Sequence, residues 1–463
     1  MSFVIVLGAL VLLMLAAYRG YSVILFAPLA ALLAVLLTEP AAVPSIFTGL
    51  FMERMVGFLK LYFPVFMLGA VFGKLIELSG FSQSIAAAVI RMVGQERAIL
   101  SIVLICALLT YGGVSLFVVV FAVYPFAAEI FRRGNIPKRL IPGTIALGAF
   151  TFTMDALPGT PQIQNIIPTT FFGTDAWAAP ILGVSGGLVV LISGLTYLDW
   201  RRRVALRNGE GYGTDHINEP ESVPVTTATH PLVAVLPLLI VGIANLAFTR
   251  TIPLVYEPSV QTQLAGMAQP LSMQLTSVVA IWAVMGALIA GILTVLILAF
   301  KPIIVRFAEG TKAAIGGALL ASMNTASEYG FGAVIAALPG FILVKNALAA
   351  IPDPLVNEAI TVTTLAGITG SASGGLSIAL AAMSEQFIAA AQVAGISPEV
   401  LHRVASMASG GMDTLPHNGA VITLLAVTGL THRQSYKDIF AITCIKTLAV
   451  FVVIAIYYLT GFV

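Results

Sequence analysis

Two aspartates sit in near-identical strings. Met154-Asp155-Ala156-Leu157-Pro158 returns as Met412-Asp413-Thr414-Leu415-Pro416, an offset of 258 (412 − 154). Each lies in strongly apolar sequence, where a carboxylate and a helix-breaking proline are both costly. A second string recurs in the same order. Gly112-Gly113-Val114-Ser115-Leu116 returns as Gly374-Gly375-Leu376-Ser377-Ile378, an offset of 262 (374 − 112). Paired interruptions in matching halves of an apolar chain point to a transport site where helices end inside the membrane. A helix that starts there exposes unpaired N–H groups and the positive end of its dipole. Such a terminus holds an anion without a Lys or Arg. The sequence offers four starts, after Ser115, Gly159, Ser377 and Pro416, and no Lys or Arg falls inside the four breaks.

The side chains around the breaks suit a polyol or hydroxy acid. Ser115, Thr160, Gln162, Asn165, Ser373, Ser377, Thr414, His417 and Asn418 supply hydroxyl, amide and imidazole groups. The backbone of Gly112, Gly113, Val114, Gly159, Gly374 and Gly375 completes the expected surface, because glycine lets a ligand come close. Asp155, Asp413 and His417 are the candidates for ion coupling; a histidine titrates near ~6.5 unless perturbed. Plainer roles stand beside these. An Asp can cap a half-helix, a His can serve as a simple hydrogen-bonding group, and a Gly-Gly pair can be a packing site. Glu77, Glu328 and Glu385 are expected near interfaces, solvated or structural.

Composition places these residues in a membrane. The chain has 463 residues, 59% hydrophobic and 10% charged, against about 25% charged in soluble domains. Long apolar blocks such as 232–248 and 277–300 match the roughly 20 helical residues needed to cross a bilayer. Cys106 and Cys444 both lie in apolar stretches, so neither a disulfide framework nor a metal site is expected. No basic stretch interleaves with aromatics, so no nucleic-acid partner is expected. Neither a His-Glu-x-x-His string nor a Gly-x-x-x-x-Gly-Lys string occurs, which argues against an intramembrane zinc enzyme and against ATP drive. No cofactor is expected.

The fold class is therefore an all-α polytopic membrane protein. Spans are expected at 2–18, 21–38, 56–79, 176–198, 232–249, 277–300, 313–328 and 436–459, with 331–345 along the interface. Segments 98–131 and 359–394 are too short for two full crossings at ~1.5 Å per residue, so each reads as a re-entrant hairpin. Segments 140–172 and 400–430 read as broken spans. Positive charge fixes the sides. Arg19, Arg91, Arg97, Arg132, Arg133, Lys138, Arg139, the linker arginines, Lys301, Arg306, His432, Arg433 and Lys437 fall on the cytoplasmic face. The connections near Glu39, Asp175, Glu257 and 353–358 fall outside, with Lys345 the exception. The count is about ten crossings plus two hairpins. It makes 1–198 and 231–463 two inverted-topology repeats joined by a cytoplasmic linker, 199–230.

The order of hairpin, broken span, linker, hairpin and broken span resembles the ion transporter superfamily. Within it, the sequence is most similar to the gluconate permease family, including its hydroxybutyrate-permease-like members. The residues behind this are the turn Tyr18-Arg19-Gly20-Tyr21, Gly112-Gly113-Val114-Ser115, 153–161, 371–377 and 409–418. Gly159-Thr160-Pro161 with Asn165 also resembles a Gly-Thr-Pro-Pro-Asn stretch of the sodium–dicarboxylate branch, although that branch carries Ser-Asn-Thr at its hairpin tips. The resemblance implies an elevator-type protein, a homodimer with a fixed scaffold and a moving transport domain. It also implies proton-coupled uptake of a small hydroxy-monocarboxylate across a bacterial inner membrane. A sodium-coupled di- or tricarboxylate transporter and a channel or facilitator are the alternatives.

Overall fold

The computed structural model describes residues 2–19, 21–214, 216–220, 229–349, 351–416 and 418–463. The chain is helical almost throughout. The helices are α1 Ser2–Tyr18, α2 Val23–Thr38, α3 Met52–Leu78, α4 Phe81–Val93, α5 Ala98–Tyr111, α6 Leu116–Arg133, α7 Ile141–Ala149, α8 Phe152–Asp155, α9 Ile163–Phe172 and α10 Pro180–Arg207. They continue with α11 Pro231–Val255, α12 Leu275–Ile304, α13 Phe307–Ala337, α14 Pro339–Ala349, α15 Pro354–Thr369, α16 Ala372–Val393, α17 Pro398–Ser409, α18 Gly419–Thr428 and α19 His432–Thr460. A lead-in of 3-10, α and π turns, 40–51, runs into α3. Among the described residues the strands are β1 Ser259–Thr262 and β2 Leu271–Gln274, an antiparallel pair between α11 and α12.

On α2 small residues face inward and large ones outward, as packing in lipid favours. Ala27, Ala30, Ala31 and Ala34 are buried while Leu25, Leu29, Leu33 and Leu36 are exposed. Val184, Leu188 and Ile192 form the same outward stripe on α10, and Ile289, Leu293 and Ile297 on α12. In water such stripes would be exposed apolar patches; in a bilayer they are the solvated face. Among the described residues, six segments, 40–78, 180–207, 231–255, 275–304, 372–393 and 432–460, are long and apolar enough to cross a membrane.

Helix pairs match between the two halves. α2 lies on α13 and α12 lies on α3; α1 lies on α14 and α11 on α4; α9 lies on α16 and α18 on α6. The ends of the bundle are marked by polar ties. At one end Asp438, at the start of α19, accepts from Arg139 at 3.2 Å and from Arg201 near the end of α10 at 2.6 Å. Glu219 of the linker meets Lys138 at 3.0 Å there and also pairs with Arg132 at the end of α6. At the opposite end Tyr458, near the end of α19, donates to Asp353, which caps α15.

Several boundaries differ from the sequence reading. α10 runs on to Arg207, so the linker arginines 201–207 are helical, because their charge is neutralised within the turn (Asp199 with Arg202 at 2.7 Å) and by Asp438. α4 was not anticipated: its apolar residues repeat at helical spacing along a single face, and it buries Phe81, Ile85 and Ile90. α16 has 22 residues, roughly 33 Å at 1.5 Å per residue. It is therefore longer than a half-depth arm, whereas its partner α15 has 16.

Candidate functional site

The first hairpin turns where α5 ends at Gly112. Gly113 takes φ +98°, the left-handed region that glycine tolerates, and Ser115 opens α6. The facing broken span stops at Phe150, makes the short turn α8, and restarts at α9. Gln162 stands at the N-cap of α9. Its Nε2 donates to the carbonyls of Thr110 at 2.8 Å and Val114 at 3.3 Å. The hydroxyl of Tyr111 donates to Pro158 at 2.8 Å. The tip is thus tied to its own broken helix.

The second hairpin repeats the device. α15 ends at Gly370, φ +64°. Ser371 caps α16 by accepting from the Gly374 N–H at 3.1 Å. Asn418 caps α18, accepting from Val421 at 2.9 Å, and donates its Nδ2 to the Gly370 carbonyl at 2.7 Å. An amide at the N-cap of each broken helix therefore grips its hairpin tip.

Three expectations are corrected here. Gly374, Gly375 and Ser377 lie inside α16, which starts at Ala372. The two Gly-Gly pairs are therefore not equivalent. The 258-residue step from Met154 to Met412 carries Gly112 onto Gly370 and Ser115 onto Ser373, and those are the residues at the second turn. Gly374 and Gly375 are packing positions: an added Cβ would strike the Glu328 carboxylate at the first and the Ala366 backbone at the second. The restart after Gly159 comes at Ile163, and Gly159 is not open to a ligand. Its N–H donates to Ala176 at 2.7 Å, its carbonyl accepts from Asn245 at 3.0 Å, and the Trp177 ring covers it. His417 lies outside the described residues.

Between the two broken spans sits a buried charge cluster. Asp413, 3% exposed, pairs with Lys446 of α19, whose Nζ also donates to the Phe150 carbonyl at 3.0 Å. Lys446 so ties the interruption of the first broken span to that of the second. The Asp155 carbonyl accepts from Ser406 at 2.7 Å and from Arg403 at 3.2 Å. Its carboxylate lies within electrostatic range of Lys446, Asp413 and Arg403. Asp155 Oδ2 is buried without a partner, beside Gly410, where a Cβ would overlap it. Arg403 is fully buried and donates to the carbonyl of Ala178 at 2.6 Å and to Asn165 Oδ1 at 3.1 Å. His402 donates Nε2–H to Asn165 at 3.2 Å and accepts at Nδ1 from Thr174 at 2.6 Å.

The polar inventory divides accordingly. Asn165 is saturated, since its Nδ2 donates to Thr160 at 3.0 Å and Ala176 at 2.8 Å. Thr414 pairs with Thr443 at 2.6 Å. Ser373 pairs with Thr325 of α13 at 3.1 Å. Thr160 Oγ1 and Ser377 Oγ are buried without partners, Val114 is buried, and Ser115 is half-buried beside the first tip. A largely apolar cavity of about 460 Å³ opens beside the second break, lined by Thr363, Gly367, Met412, Leu415 and Thr447 among others. The sequence reading missed Lys446, Arg403 and His402. A lone cation inside the apolar run of α19 was the available signal for Lys446. Glu328 and Glu358 were expected at interfaces or connections; both are buried within helices.

The GntP family permease profile matches residues 1–288. The chain belongs to the GntP permease family. It is 59% identical, over the full length of both chains, to the uncharacterized transporter YxjC of Bacillus subtilis (strain 168). Its fold is similar to the crystal structure of the Alcanivorax borkumensis YdaH transporter, described as having an unusual topology. The TM-score is 0.59 at 15% identity, covering 91% of this chain and 90% of that one. This GntP family member is thus a multi-pass membrane transporter.

Proposed function

We propose that this transporter is a symporter that couples entry of protons to uptake of a small hydroxy-monocarboxylate, gluconate- or 3-hydroxybutyrate-like, across a bacterial inner membrane. The observation that carries the reading is the paired amide grip: Gln162 on the first tip and Asn418 on the second. It ties each hairpin to its broken helix around the Asp155–Asp413–Lys446–Arg403 cluster. The substrate carboxylate is met by the N-termini of α6 and α9, beside Ser115 and Thr160, and by those of α16 and α18. Two cations balance two carboxylates in the cluster, and the unpartnered Asp155 Oδ2 is where a coupling proton binds. The matched helix pairs support two repeats. The ends at which Arg132 and Asp353 lie support their inversion, with one hairpin opening on each side. Movement of hairpins and broken helices against a dimeric scaffold formed by the remaining helices is the alternating-access step.

The test is uptake of labelled gluconate and 3-hydroxybutyrate into proteoliposomes under an imposed pH gradient, with sodium present or absent. Gradient-driven accumulation without sodium is expected. Sodium-dependent citrate uptake would instead establish the dicarboxylate-like alternative, and single-channel currents a channel.

A further inference from the structure

The two hairpin tips face different surfaces. The first faces glycines of α3: a Cβ on Gly73 would touch Val114 at 3.3 Å, and one on Gly69 the Gly113 carbonyl at 3.9 Å. The second faces Thr325 and Glu328, one turn apart on α13. Thr325 pairs with Ser373, and Glu328 interacts with Ser371 and lies against Gly374. Glu328 is 2% exposed, and its Oε2 has no hydrogen-bond partner. The absence of a Cβ on Gly374 makes the room its carboxyl occupies.

Among the described residues no cation compensates Glu328, unlike Asp413; the positive pole beside it is the N-terminus of α16, which Ser371 caps. The elements packed on α13 carry Glu53, Arg54, Lys60, Lys74 and Glu77 on α3, Lys301 on α12 and Glu385 on α16; Lys345 follows on α14. Arg54 acts on the neighbouring Tyr329, and Lys74 pairs with Glu77 at 2.7 Å. Among the described side chains none of these interacts with Glu328. The N-terminus of a helix offsets only part of the desolvation of a buried carboxylate, and the same carboxyl bearing a proton escapes that cost.

We propose that Glu328 is a proton-binding site at the second hairpin tip, separate from the Asp155–Asp413 cluster. Protonation from the aqueous side forms the O–H bond of a carboxylic acid. The neutral acid seats against Gly374 and Ser371 and holds the tip closed on α13; loss of the proton leaves a charge that no cation meets and that must reach water, opening the tip. The site rests on the proton-symport reading for its role but not for its existence.

The experiment is an infrared pH titration of the full chain in lipid, following the C=O stretch of protonated carboxyls. Glu328→Gln is expected to lose one titrating component, and Ser371→Ala to shift the midpoint of that component. In proteoliposomes the ratio of protons to gluconate should fall in Glu328→Gln. An infrared spectrum unchanged by Glu328→Gln overturns the site. If that variant does not fold, an unmoved component in Ser371→Ala, which keeps the acid, overturns it equally. Gluconate that does not enter at all refutes the proposed function, while the infrared result still decides the proton site.

Discussion

Removing the cation of the central ion pair tests the cluster most directly. Lys446 is 3% exposed, and its ammonium pairs with Asp413 and donates to the Phe150 carbonyl at 3.0 Å. Two unit charges ~4 Å apart attract by about 4 kcal/mol at an effective dielectric of 20. Lys446→Met leaves the Asp413 charge buried without its cation, at a cost of about 3–5 kcal/mol, and orphans the Phe150 carbonyl, about 1–3 kcal/mol more. Asp413→Leu strands the ammonium with a similar penalty. The double variant removes both charges and keeps apolar volume, so it should recover most of the loss. Equilibrium unfolding of the solubilised protein completes the cycle, with a coupling of at least about 2 kcal/mol expected. Additive singles, or a Lys446→Met cost under about 1 kcal/mol, would show that Asp413 is not held by Lys446 and would refute the cluster as described.

Other expectations follow from the same contacts. Gln162→Leu and Asn418→Leu each cut a tip from its broken helix and should cost about 1 kcal/mol per lost hydrogen bond; on the proposed substrate reading, both should weaken gluconate binding by titration calorimetry, and unchanged affinity in both would make the amide grip merely structural. Cysteines at Gly209 and Arg433 should be labelled from one side of the membrane and a cysteine at Glu257 from the other; labelling of Gly209 and Glu257 from the same side would end the inverted arrangement. Glu219 is partly buried, which opposes its charge, but hydrogen bonds from Arg132, Tyr212 and Lys138 win and hold its carboxyl down to about 2. Its folded value lies below the ordinary 4.5, so its stabilisation is present above about pH 4.5 and is lost as pH falls toward 2. Pepsin should nick the linker progressively faster over that interval in the parent, and at a rate free of this pH step in Glu219→Gln.

The sequence by itself determined the membrane class, the existence and order of the broken segments, and the first turn. Apolar run length and backbone breakers act locally, so Gly112-Gly113 marked its turn where it stands. The family, too, was legible in the strings around Asp155 and Asp413. Tertiary structure decided the rest. Gly374-Gly375 has the same letters as the first pair but sits one helical turn further on, because what reserves those positions is the approach of Glu328 and Ala366 from other helices. Asn165, Gly159 and Thr414 carry ligand-like chemistry, yet their polar groups are engaged by Ala176, His402, Arg403, Asn245 and Thr443. The compensation of Asp413 by a lysine 33 residues away (446 − 413) and the stranding of Glu328 beside Ser371 are contacts between helices distant along the chain. Local pattern fixes where a helix must stop; only packing fixes which charge meets which partner, because burial makes the unpaired alternative too costly to persist.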